Sequence, residues 1–512
     1  MKKSLLLVLF TLLSLSSCRI DEKKDQRVYT VFSDVIGTNT GRVRVRSDDP
    51  GVALILPPFR TSITATVYYY DGGFREEEIE ALDDAINFDL QYYYALSDRH
   101  YDYTLDGEEI VNVKTINEAP RGTAVEVDPF LFDLLKESYE FSLNTADDDG
   151  NLLFDIFAGN LNGFYEEKLS KTAIQTPLDK ALSMANNAIF SSDVDQESLD
   201  EIIARTPVTK EEAEGLLEFD EANSTVTFQP FVKNGITYDD VEISLSAVAK
   251  GFATERISEE IDEEYPDISL LINSGSSSIK AIGEKPDGKS WNIRLTNPYY
   301  DERAYAENEG RNPYEVGLRH DGPFTMSTSG YYGNYFYVYD PEEEHYLRRD
   351  HIIYPATGLS VSFFDQVSVF NEDAGLADMY TTTLMLASSV QEALDLIDRL
   401  DAIYELDTES IFVFKSVKED ALTGYCYKNS ELTPLSSLGL PIVNLKDKVR
   451  YEGDYTDIAA EDIQSSVSRP ERDFRMTYLS SSGVYGKLEL VEDENSVPYP
   501  EKRLAVLKEE EK

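Results

Sequence analysis

Histidine, cysteine and positive charge are all scarce in this chain. Four histidines and two cysteines occur in 512 residues, and 47 Lys and Arg stand against 96 Asp and Glu, for a formal net charge of −49 at pH 7. The acidic excess is spread along the sequence, so the surface repels phosphate backbones and nucleic acid is excluded as a partner. An anionic ligand has to be held at a local exception, by a cation, a lysine or backbone amides. The histidines are not grouped: H-E-x-x-H is absent, as is a G-x-S-x-G serine elbow, so neither of those catalytic devices is encoded. Two cysteines cannot build a disulfide framework. Beyond residue 18 no run is long and apolar enough to cross a bilayer.

What is present suffices for a large folded core, since 41% of the residues are hydrophobic. The opening, "MKKSLLLVLFTLLSLSSC", places two lysines before a short apolar run that ends in small residues, the pattern of an export signal. Its close resembles a bacterial lipobox, which implies cleavage before Cys18 and a lipid on that sulfur. The expectation is a lipoprotein signal peptide over 1–17, a polar tether and lead-in over 18–54, and lipid anchoring at the cell membrane on its extracytoplasmic face. Cys426 is then a lone thiol, expected to be buried.

Strand and helix signals alternate without a fixed period, which gives an α+β fold. "RTSITATVYYYDG" predicts a strand, and "REEEIEALDDAINFDLQYYYALS" predicts a helix with an acidic first turn. "PRGTAVEVDPFLFDLLKESYEFSLNT" repeats strand, capping Asp128 and helix. Residues 299–323 are polar and turn-rich and read as an insertion. Past residue 438 the chain is charged, with strand-like pieces such as "DFRMTYLS" and "VYGKLELVED", and reads as a small appended region, 439–512, with a solvated tail.

Four stretches have the composition of a site. In "NEDAGLADMYTTTLMLASSVQEALDLIDRL" two helices are expected, opening near Asp373 and at Ser389, the latter with Glu392 at capping-box spacing. Asp378 and Thr382 stand four apart on one face, where they either hold a hard cation or do nothing unusual. In "VEISLSAVAKGFATERISEEI" the residues Val241, Ile243 and Leu245 alternate as a strand before a small-residue turn, and Gly251 is expected to release the chain into a helix. Lys250 there meets a ligand phosphate or simply solvent. The Ser/Gly turn of "LLINSGSSSIKAIG" either offers amide donors to an anion or is only a turn. His351, in "RRDHIIYPATGLS", is either a catalytic group or a hydrogen-bonded strand-edge residue.

All four stretches occur in the order found in one family. The chain resembles the ApbE family of FAD:protein FMN transferases, in the lipoprotein form of Gram-positive bacteria. "AVAKGFATE", "AIGEKPDGKSWNIRLTNP", "STSGYY", "HIIYPATG" and "DAGLADMYTTTLM" carry the resemblance, which spans residues 55–438. It implies mixed and antiparallel sheets with packed helices. It also implies a Mg²⁺-dependent reaction that cuts FAD, places FMN on a Ser or Thr hydroxyl of an exported acceptor protein and releases AMP. Carried over by position, the metal ligands are the carbonyl of Ala247 and the side chains of Asp378 and Thr382, with Thr381 adjacent. The same resemblance implies that Phe154, Asp155, Ser244, Lys250 and the backbone near Ile353 would contact FAD, and that His351 would orient or deprotonate the acceptor hydroxyl.

The chain departs from the family pattern at Ser244, at Ser276 and Ser277, and at Tyr354 and Tyr331, positions where the family favours Asp, Gly and Asp or Asn, Asp, and often Asp. Two functions therefore stand side by side: an active flavin transferase, and a non-catalytic surface lipoprotein of the same fold that binds a flavin or nucleotide.

Overall fold

Strands of the main sheet lie side by side almost in the order in which the chain produces them. In the computed structural model they are β1 (Gln26–Phe32), β2 (Ile63–Tyr70), β3 (Ser269–Ser274), β4 (Ser278–Ile282), β5 (Phe324–Gly330), β6 (Gln366–Asn371), β7 (Glu409–Val417), β8 (Phe474–Ser480) and β9 (Glu501–Leu507), followed by short strands at Ile442–Asn444 and Val449–Arg450. Neighbours are antiparallel except β8 and β9, which run parallel. The structure describes residues 26–507 apart from 35, 37–41, 47–56, 71, 171–190, 297, 299–313, 332–333, 341–344, 362, 418–424, 429–430, 435–441, 445–448, 451–473 and 491–500. The expected signal peptide and Cys18 lie outside the described residues.

Alternation decides which face each strand shows. Val367 and Val369 of β6 and Phe412 and Phe414 of β7 enter one core, whereas Phe370, Ile411 and Val413 enter the opposite one. The first core is covered by helices α1 (Glu76–Ser97), α2 (Pro129–Asn144), α3 (Ala249–Glu264), α4 (Ala374–Leu384) and α5 (Val390–Tyr404). The second is covered by a small sheet of Trp291–Thr296, Tyr314–His320 and Leu488–Leu490. Helices pack on one sheet face and strands on the other, which is the expected α+β architecture. On α5 the buried residues Val390, Ala393, Leu396, Ile397 and Leu400 form one stripe, and each large one contributes about 1.5–3 kcal/mol by leaving water. The expected caps are in place: Asp128 accepts from Phe130 N, Asp373 from Leu376 N and Ser389 from Glu392 N.

Several boundaries differ from expectation. Part of the expected tether is strand β1, because Gln26–Phe32 pairs along its whole length with β2. The end of the expected insertion, Tyr314–His320, is a strand whose Val316 and Leu318 are buried. The region after residue 438 is not a separate appendage. β7 buries Ile411 to Phe414, an edge that would expose unpaired backbone, and β8 closes it. Residues 241–245 run extended but make only a bridge from Glu242 to Ala158, so the expected strand there is absent.

Candidate functional site

The ends of β3, β4 and β5, the start of α3, one face of α4 and the chain around His351 enclose a cavity of about 860 Å³, within the usual range of ligand sites. Phe154, Asp155, Ser244, Ala247, Lys250, His351, Ile353, Asp378 and Thr382 all line it. Thr381 does not. It is fully buried, donates to the Asp378 carbonyl at 2.9 Å and accepts from the Ser329 hydroxyl at 2.9 Å, so it braces α4 from behind the wall.

Asp378 is the centre of this arrangement. Period-two alternation along β5 sends Ser327 and Ser329 to the face that α4 covers. Ser327 Oγ donates to Asp378 Oδ1 at 2.7 Å, Ser277 Oγ reaches the same oxygen at 3.3 Å, and the Gly251 amide donates to Oδ2 at 3.1 Å. Burial pushes the Asp378 carboxyl above its ordinary pKa, and Lys250 together with these three donors opposes that rise. The Thr382 hydroxyl donates to the Asp378 carbonyl at 3.2 Å.

Gly251 has a different role from the one its sequence context suggests. α3 starts at Ala249, so this glycine sits inside the helix instead of releasing the chain into it. A Cβ there would stand 2.3 Å from the Ala374 carbonyl oxygen and 2.7 Å from Asp378 Cβ. Its missing side chain is what lets α3 and α4 touch and brings Lys250 and Asp378 to one cavity.

Among the described residues no three His, Cys, Asp or Glu side chains gather as a metal cage. A cation here would take one carboxylate, from Asp378, and complete its shell with hydroxyl, carbonyl, water and substrate oxygens. That donor set suits magnesium, which binds through one or two carboxylates and keeps several waters.

His351 is solvent-accessible on one side, while the cavity wall behind it desolvates the ring. Its pKa is drawn below the ordinary value first by that desolvation and further by Lys250, against Asp350 and the Asn334 carbonyl. The backbone on either side is pinned. Buried Arg348 bonds Asp350 at 3.1 Å and Asp365 at 2.5 Å, and Asp350 accepts from Ile352 N at 3.0 Å. Burial pushes the Asp365 carboxyl up to about 6 even against Arg348.

Asp155 presents an unmet demand. Its Oδ1 accepts from Phe157 N at 2.8 Å, while Oδ2 is buried without a protein partner. Burial pushes this carboxyl up to about 7. A small rotation of the side chain toward the cavity would let a ligand N–H satisfy it.

The Ser/Gly turn spends its amides on itself. Gly275 and Ser276 have φ of 65° and 60° within the three-residue loop between the paired Ser274 and Ser278, with Ser276 N bonded to Asn273 Oδ1 and Ser277 N to the Ser274 carbonyl. The departures from the family pattern fall in two groups. Ser244, Ser276 and Ser277 line the cavity. Tyr354 is absent from that lining; its hydroxyl donates to Asp147 at 2.6 Å. Tyr331 is buried beneath the Arg348 guanidinium at 3.9 Å.

Sequence reasoning missed Phe59, Arg60, Arg99 and His100, which line the same cavity. Phe59 and Arg60 are consecutive non-glycine residues with φ of 54° and 55°, a strain invisible in the sequence. Ser327 lay inside "STSGYY" but carried no sign of its bond to Asp378.

The model of the ApbE family matches residues 61–405. Among solved structures, the ApbE protein of Thermotoga maritima is 21% identical, covering 69% of this chain and 91% of that one with a TM-score of 0.47. The flavinyl transferase ApbE of Pseudomonas stutzeri, in its apo form, is 17% identical over 76% of this chain and 93% of its own, TM-score 0.45. The flavin transferase ApbE of Vibrio cholerae is 16% identical over 81% and 99%, TM-score 0.48. No curated protein matches the chain in sequence.

Proposed function

We propose, because the chain belongs to the ApbE family, that it is an FAD:protein FMN transferase that binds FAD in the Asp378 cavity, moves FMN to a Ser or Thr hydroxyl of an exported acceptor protein and releases AMP. The observation that carries this reading is the convergence of Asp378, Thr382, Lys250 and His351 on one cavity of a chain with net charge −49. In the transfer the acceptor oxygen bonds to the FMN-side phosphorus, the bond from that phosphorus to the bridging oxygen breaks, and AMP leaves with the bridging oxygen. His351 receives or orients the acceptor's proton; its lowered pKa keeps the ring neutral and able to accept near pH 7. Lys250 offsets diphosphate charge, and Asp155 accepts an N–H from the bound heterocycle. Magnesium, held by Asp378 with Thr382 and the Ala247 carbonyl, would neutralise phosphate charge and stabilise the leaving group. A lipid on Cys18 would hold the protein at the extracytoplasmic face of the membrane, where exported acceptors are found.

The second reading, a non-catalytic flavin- or nucleotide-binding lipoprotein, is favoured by Ser244 and Ser277, which put hydroxyls on the cavity wall where the family favours carboxylate or amide groups. Incubation with FAD, Mg²⁺ and an acceptor protein separates the two. Transfer adds the mass of FMN less one water to the acceptor and releases one AMP per event. FAD binding without AMP release, beside a positive family enzyme, supports the second reading.

A further inference from the structure

Three elements that build the cavity meet at one ion pair just outside its lining. Glu255 lies on α3, one turn beyond Lys250 and Gly251. One of its carboxylate oxygens accepts from the backbone amide of Ala374, the first residue of α4, at 2.7 Å. The other pairs with Lys280 of β4, the strand that opens directly after Ser277. Both side chains are 13% exposed, so neither is a solvated surface pair of small consequence. The α4 start has its own cap, Asp373, which accepts from Leu376 at 2.7 Å. Glu255 satisfies a second of the orphan amides at that terminus, and does so from a neighbouring helix. The Glu255 contact therefore fixes where α4 begins relative to α3.

The consequence falls on Asp378, one helical turn further along α4. Gly251 allows the two helices to approach, and its amide adds a single bond between them, to Asp378. The Gly251 amide and the Asp378 carboxylate form a bond of 3.1 Å only if that register is held. We infer that Glu255, steadied by Lys280, is a positioning residue that registers α4 against α3 and so holds Asp378 in place for a divalent cation opposite Lys250. This rests on the proposed metal-dependent binding of FAD. Glu255 does not line the cavity and touches no substrate.

The test compares the full chain with Glu255→Ala, Glu255→Gln and, because loss of Glu255 alone strands buried Lys280, the double variant Glu255→Ala with Lys280→Met. FAD binding is followed by flavin fluorescence while Mg²⁺ is titrated. Glu255→Ala and the double variant should need about tenfold more Mg²⁺ for half-saturation, about one lost hydrogen bond to a charged group, with FAD affinity at saturating Mg²⁺ within about twofold of the parent. Glu255→Gln keeps a carbonyl for the Ala374 amide and should lie nearer the parent. An unchanged Mg²⁺ requirement in the folded double variant overturns the inference, as does an affinity loss that saturating Mg²⁺ does not restore. If the parent chain itself binds FAD without regard to Mg²⁺, the proposed metal role fails. The register is then read in the ligand-free protein by amide hydrogen exchange at Ala374–Ala377: faster exchange in Glu255→Ala but not in Glu255→Gln sustains it, and equal protection overturns it.

Discussion

Replacing Asp155 by Asn should make the ligand-free protein more stable and its flavin binding weaker. The carboxyl is lifted from an ordinary 3.8 to about 7, chiefly by burial. Between those values the folded state keeps a proton that the unfolded chain has lost, so this group's contribution falls as pH rises from about 4 to 7 and stays low above it. At 1.36 kcal/mol for each tenfold in the proton equilibrium, the ionised carboxylate costs about 4 kcal/mol at pH 8. Asn keeps an acceptor for the Phe157 amide at the Oδ1 position, but its new N–H₂ would lack a partner where Oδ2 now lacks one, an offset of about 1–2 kcal/mol. The net gain is about 2–3 kcal/mol at pH 8, shrinking and reversing toward pH 4. Guanidinium unfolding of both proteins at pH 8 and pH 5 measures it. The same variant should bind FAD about tenfold or more weakly, the loss of a charge-assisted hydrogen bond. An equal stability difference at both pH values, or a variant less stable at pH 8, would refute the reasoning.

Asp378→Asn removes the single carboxylate of the cation site while leaving an acceptor for Ser327; AMP release should vanish with the fold intact by circular dichroism, and full activity would contradict the metal assignment. Gly251→Ala forces a Cβ to within 2.3 Å of the Ala374 carbonyl, so thermal unfolding should register about 1–3 kcal/mol of overpacking, together with weaker FAD binding. Tyr354→Phe deletes the 2.6 Å bond to Asp147 and should cost about 1–2 kcal/mol without changing FAD affinity, because the ring lies outside the cavity lining. His351→Gln should abolish the acid limb of the transfer rate profile, which in the parent sets in below the ordinary histidine value because the ring's pKa is lowered.

Much of the site was legible because its residues sit at positions that local rules expose. Asp378 and Thr382 fall on one helix face by spacing alone, and the caps at Asp373 and Ser389 are written in the sequence. Alternation gave β2, β8 and the helix signals gave α1 and α2. What stayed hidden depends on long-range contact. Nothing near Gly251 announces that Ala374, more than a hundred residues later, will press against it. Glu255 reads as one more acidic residue on an amphipathic helix until Lys280 and the Ala374 amide appear beside it. The charge of the last seventy residues suggested solvation, yet β8 and β9 are short segments whose need is set by the open edge of β7. Phe59 and Arg60 carry no sequence mark of their left-handed backbone.

Calorimetric titration of FAD into the ligand-free chain, once with Mg²⁺ and once with EDTA, measures the coupling between cation and dinucleotide. Binding about tenfold or more tighter with Mg²⁺, with the gain lost in Asp378→Asn, is the predicted result. Equal affinity in both buffers, or a gain that survives in Asp378→Asn, would contradict it.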